Sequence, residues 1–93
     1  MKIDTTSYLA EYLGAFLFIL SIFASNGNPL IIGGTLALVI YLIGSVSGGH
    51  VNPAVSVSMF LNGDLNGSQL LGYAVAQVLG GASAYMAFSK LRN

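Results

Sequence analysis

The sequence predicts an all-α membrane protein with three transmembrane helices and one re-entrant half-helix, in a single domain over residues 1–93. Three observations carry that expectation. Of the 93 residues, 55% are apolar and only 6% are charged, whereas soluble domains carry roughly 25% charged residues. Three apolar segments are long enough to cross a bilayer. A fourth is too short to cross, follows an Asn-Pro pair, and lies between two of the long ones. Mean hydropathy is +0.79, in keeping with a chain solvated largely by lipid.

Composition also excludes. Formal net charge is zero, which argues against a nucleic-acid partner. The chain has no cysteine, so disulfides and thiolate chemistry are absent. One His and three acidic residues are too few for a metal site, and no nucleophile–base pair points to an enzyme or a cofactor. The 12 glycines sit inside apolar runs, as glycines in packed membrane helices do. The N-terminus does not read as a signal peptide, because its apolar stretch is long and lacks a small-residue cleavage site.

The first element runs from about 8 to 24, interrupted only by Glu11. Asp4, Thr5 and Thr6 offer caps before it, and Ser25-Asn26-Gly27-Asn28-Pro29 end it as a loop. A carboxylate inside a spanning helix should face protein and find donors there; the alternative is a place near the interface where it reaches water. The second element runs from about 30 to 46 without a charge. Gly33, Ala37 and Tyr41 recur every four residues along it, a face suited to tight packing. The last long element runs from about 68 to 91. Gly72, Ala76, Gly80 and Ala84 form a stripe of small residues on it, read either as close packing within the subunit or as a face for another subunit. Gln77 can hydrogen-bond loop backbone or a neighbouring helix.

Between the second and last elements the chain reads SGGHVNPAVSVSMFLNGDLN from Ser47 to Asn66. Pro53 suits the first position of a helix and Asn52 its cap. The apolar run from Ala54 to Leu61 is eight residues, about 12 Å of helix. A half-helix over about 52–61 follows, re-entering the membrane rather than crossing it. Such backbone survives at membrane depth only when buried in protein or lining a wet cavity. Its N-terminus carries unpaired N–H groups and the positive end of the helix dipole. The Asn52 amide adds donors, and an extended stretch through Gly48, Gly49, His50 and Val51 adds carbonyl acceptors. That combination suits water or a small polyol and opposes cations.

Ser47-Gly48-Gly49-His50-Val51-Asn52-Pro53-Ala54-Val55 resembles the first NPA box of the aquaporin and aquaglyceroporin (major intrinsic protein) family. Ala10-Glu11-Tyr12-Leu13-Gly14 is similar to the family's first helix, and Tyr73, Ala76, Gln77 and Gly80 to its third. The resemblance covers nearly the whole chain and the N-terminal half of the usual family protein. It implies a pore-lining role for Asn52, a loop position for His50, and a buried Glu11 that braces the re-entrant loop. His50 reads as a structural histidine or as a pH switch, and Tyr41 and Tyr73 as packing residues. Ile32 resembles the second-helix contribution to the narrow filter, where an aromatic ring or a His is usual; a wider or more apolar constriction is implied. By the family's orientation, the sequon Asn66-Gly67-Ser68 lies on the cytoplasmic side and is accidental.

The family's channel has two inverted repeats, and only one is present in this sequence. No second Asn-Pro box of that kind follows, and no arginine precedes Arg92. The expected function is a passive channel subunit for water or a small neutral solute such as glycerol, seated in a lipid bilayer. Its second half would come from self-association with an inverted copy, from a partner chain, or from a C-terminal repeat. The alternative is a non-conducting membrane protein that binds full-length channels through the stripe on its last helix.

Overall fold

The computed structural model describes residues 1–92. They form four helices: α1 (Thr5–Ala24), α2 (Pro29–Ser47), α3 (Pro53–Leu61) and α4 (Gly67–Leu91). α1, α2 and α4 are long and apolar enough to cross a membrane. α3 has nine residues, about 13 Å, and reaches less than halfway across the ~30 Å hydrocarbon core.

Each helix starts on a polar cap. Asp4 accepts from the Thr6 N–H at 3.0 Å. Asn28 accepts from the Leu30 and Ile31 N–H groups at 3.0 and 3.2 Å. Asn52 accepts from the Ala54 N–H at 2.8 Å. Asn66 and Gln69 exchange hydrogen bonds of 2.8 and 2.9 Å in a reciprocal capping box. These caps explain where the observed bounds differ from the expected ones. α1 begins at Thr5 instead of about 8, because its first turn is polar and hydropathy does not register it. Asn28-Pro29, read as loop, is instead the cap and first residue of α2. Asn52 stands just outside α3 as its cap, so the helix proper begins at Pro53.

α1 is the central helix and packs against both α2 and α4, while α3 packs on α4. α1 and α4 run parallel: Tyr8 meets Gly72, Tyr12 meets Ser83, and Phe23 stacks on Phe88 with ring centroids 5.4 Å apart. Their approach is set by Gly80. A Cβ there would overlap the Tyr12 carbonyl oxygen and lie 3.1 Å from the Ala15 Cβ. The small-residue stripe is therefore covered by α1: Ala76, Gly80 and Ala84 are buried, and Gly72 is half-buried. On the other side, Ala15 of α1 and Val39 of α2 close around Val51, with Phe18, Leu36 and Ile43 against them.

α2 corrects one expectation. Its Gly33 and Ala37 are exposed, Tyr41 is 84% exposed, and nothing lies within 4 Å of a Cβ placed at Gly33. This face packs on nothing within the described residues, so Tyr41 is not a packing residue inside this subunit. The apolar contact of α2 with α1 comes instead from the opposite face, through Val39 and Ile43.

Candidate functional site: a loop held at mid-height by a buried carboxylate

The segment between α2 and α3 turns back into the bundle. Val51 packs beside Gly14 and Ala15. Those two residues are the midpoint of α1 (Thr5–Ala24), so the loop tip lies at about half the height of a spanning helix. α3 then runs back toward the end where α1 begins, and Leu65 after it shares a cavity with Met1 and Ile3.

The loop is not the extended stretch expected from sequence. Gly48, Gly49 and Val51 all have positive φ, of +91°, +65° and +60°. Gly49 needs to be glycine on two counts. Its φ is left-handed, and a Cβ would sit 3.2 Å from the Ile40 Cα. Val51 has no such freedom. A β-branched residue at φ +60° costs on the order of 1–3 kcal/mol and persists only where its surroundings over-determine it.

Glu11 supplies that determination. Its side chain is fully buried and its two oxygens accept four hydrogen bonds. Oε1 accepts from the Val51 N–H at 2.7 Å and from Gln77 Nε2 at 2.9 Å. Oε2 accepts from the His50 N–H at 3.0 Å and from Ser47 Oγ at 2.6 Å. These hydrogen bonds are direct and short. They are stronger away from water, where an unsatisfied backbone N–H costs several kcal/mol.

A second layer locks the loop from α4 and α3. Tyr73, fully buried, donates its hydroxyl to the Ser47 carbonyl at 2.7 Å. It is thus a polar brace as well as a packing residue. Gln77 spends its second amide hydrogen on Ser56 Oγ at 2.9 Å, and Ser56 Oγ lies 2.9 Å from His50 Nδ1. From α1, Ser7 Oγ donates to the Val46 carbonyl at 2.9 Å. Sequence reasoning assigned no role to Ser7, Ser47 or Ser56. All three are fully or almost fully buried, and the available signal was hydroxyls within apolar helical runs.

Asn52 occupies the tip. Its Oδ1 is used by the cap at 2.8 Å, so the amide Nδ2 points away from the helix and has no hydrogen-bond partner among the described residues. The residue is exposed. It borders a cavity of about 530 Å³ together with Val51, Pro53, Gln77, Phe18 and Gly81. Gln77 Oε1 is the one buried side-chain polar atom without a partner among the described residues. On the opposite side of the loop, Gly48 and His50 border a separate cavity of about 340 Å³ with Met59 and Asp64. Of the residues singled out by sequence, Glu11, Gln77, His50 and Val51 meet in one network, and Asn52 stands at its edge. Ile32 is half-buried in the first turn of α2 and borders neither cavity.

Three spanning helices around a polar loop folded to mid-height define an integral, multi-pass membrane protein. The chain belongs to the major intrinsic protein family, whose model matches residues 2–92. It is 37% identical over 81 residues to the glycerol uptake facilitator protein-like 6 of Lactiplantibacillus plantarum, covering 78% of this chain and 38% of that protein. It is 33% identical over 89 residues to aquaporin Z of Photorhabdus laumondii, covering 81% of this chain and 38% of that protein. To the lens fiber major intrinsic protein of Gallus gallus it is 37% identical over 83 residues, covering 77% and 32%. By name, the first of these relatives is a glycerol uptake facilitator-like protein and the second an aquaporin. The matches span 32–38% of the relatives' lengths. No solved structure matches.

Proposed function

We propose that this chain is one half of a passive transmembrane channel for water or small neutral solutes such as glycerol. The observation that carries the reading is the free Asn52 amide. It stands at the N-terminus of a half-helix at mid-membrane height, beside an open cavity, on a loop braced by Glu11. The amide Nδ2 offers donors to a solute oxygen; within the first turn of α3, Pro53 has no N–H and Asn52 takes those of Ala54 and Ser56. The dipole of α3 adds roughly half a positive charge there and disfavours cations.

The pore is enclosed only when a second half faces this one. α3 packs on α4 alone, and Asn52, Pro53, Ala54, Val57 and Ser58 are exposed. In hydrocarbon an uncovered helix start with free donors is costly. The second half is an inverted copy, a partner chain or a further repeat. The competing reading, a non-conducting protein that binds channels through the small-residue stripe of α4, has less support, because α1 covers Gly80 and Ala84 of that stripe.

Osmotic water and glycerol flux into vesicles containing the pure protein tests the self-sufficient form of the proposal, and flux no higher than in empty vesicles defeats it. Asn52→Asp tests the site. Asp caps a helix about as well as Asn, so stability is expected to stay within about 0.5 kcal/mol. Solute flux should fall and cation leak should rise, because a donor has become a negative charge. Unchanged flux and selectivity would leave Asn52 only its capping role.

A further inference from the structure

α1 and α4 enclose a second groove, on the side of their contact turned away from the loop. It has a volume of about 620 Å³ and is floored by Gly72 and Ala76. Its walls include Leu9, Leu71, Val75 and Leu79, each about half exposed or more. At ~100° per residue, Val75 and Leu79 project from the opposite side of α4 to Gln77. The groove is therefore separate from the half-helix tip and from any second half that meets that tip.

Its polarity changes along its length. The shallow end, where both helices begin, carries the hydroxyls of Thr5, Tyr8 and Ser68. None of the three has a side-chain hydrogen-bond partner among the described residues. The one deep hydroxyl, on Tyr12, is satisfied inside the protein by Ser83 Oγ at 2.7 Å. Beyond it the surface is apolar and continues into a shallow depression bordered by Ala74, Val75, Val78 and Leu79. From Ser68 to Leu79 the groove follows α4 for about 16 Å, close to the ~15 Å of one leaflet's hydrocarbon. Lys2 lies just before the shallow end. The neighbouring Asp4 carboxylate is engaged by the Thr6 N–H.

We infer that this groove holds one acyl chain of a phospholipid. The phosphate sits at the level of Thr5, Tyr8 and Ser68 within reach of Lys2, and the chain runs down to Leu79. Open hydroxyls only at headgroup depth, dry walls below, and a length of one leaflet together match a lipid and not a water-soluble ligand. A protein partner would leave the three hydroxyls without a stated role.

The protein is reconstituted in phosphatidylethanolamine–phosphatidylglycerol vesicles, extracted in mild detergent and weighed by native mass spectrometry. The expected result is a retained phospholipid on each copy of the chain. Val75→Trp, which fills the groove, should weaken retention about tenfold, or ~1.4 kcal/mol. Leu38→Trp, on the exposed face of α2, should leave retention unchanged. No retained lipid, equal retention in both variants, or loss of an oligomer instead of lipid on filling the groove would each overturn the inference. Because the chain has no tryptophan, Leu9→Trp is a single reporter that needs no filled groove. Its quenching by brominated acyl chains should persist after dilution into unbrominated detergent, and immediate recovery would also overturn the inference.

Discussion

Glu11 shows how much one side chain decides in this protein. A carboxylate in a spanning helix is costly unless donors meet it, and four do, two of them loop N–H groups. The same contacts hold Val51 at a φ that a valine otherwise avoids. Glu11→Gln tests this. The new amide can keep one acceptor for Val51 and Gln77, but its NH₂ faces the His50 N–H, leaving that donor unpaired. The expected loss is about 3 kcal/mol, read as a lower unfolding midpoint in detergent. The loop between Ser47 and Pro53 should also become sensitive to protease. Wild-type stability and protection would mean that the loop holds its shape without the carboxylate.

Among the elements, the packing of α1 on α4 depends on side chains that are missing. Gly80 lets the Tyr12 backbone come within touching distance, and that closeness brings Glu11 and Gln77 to 2.9 Å. Gly80→Val would push the helices apart, at an expected cost of about 3 kcal/mol, and would uncouple Gln77 from the loop. Gly33→Ala on α2 is the matched control. Nothing lies within 4 Å of that position, so the change should be neutral or raise stability by about 0.5–1 kcal/mol through helix propensity. Comparing the two unfolding midpoints checks the assignment. A large loss at Gly33 would mean that α2 is packed against something in the membrane. The half-helix obeys the same local rules as the others: Asn28-Pro29 and Asn52-Pro53 both open helices. Only the second stands at mid-height, so the dipeptide is a cap in both, and the proposed solute site rests on position alone.

For the whole molecule, the open question is what faces the exposed side of α3. Lys2 lies at one end of the three-span chain and Lys90 and Arg92 at the other, a small bias under the positive-inside rule. Single cysteines placed at each terminus of the cysteine-free chain report orientation through impermeant maleimides. If an inverted copy completes the channel, both orientations should be labelled from outside in comparable amounts. A single orientation would assign the second half to a different chain or repeat. Flux through the channel should also resist mercurials, since no thiol is present, and a mercurial block would require another site.

The sequence by itself determined the class and the elements. Hydropathy registers spanning length, and Asn-Pro before a run of eight apolar residues marks a helix too short to span, because both signals are local. The same locality made the starts of the three long helices appear late by one to three residues, since polar caps and first turns are invisible to hydropathy. Tertiary structure alone decided the rest. Which hydroxyls brace the loop, the left-handed turns at Gly48, Gly49 and Val51, and the outward face of Gly33, Ala37 and Tyr41 depend on neighbours far along the chain. Ser47, His50, Val51 and Gln77 lie 36 to 66 positions from Glu11, and no periodicity encodes that meeting. It follows from close packing, in which small residues let α1 and α4 touch and a buried carboxylate gathers the donors within its reach.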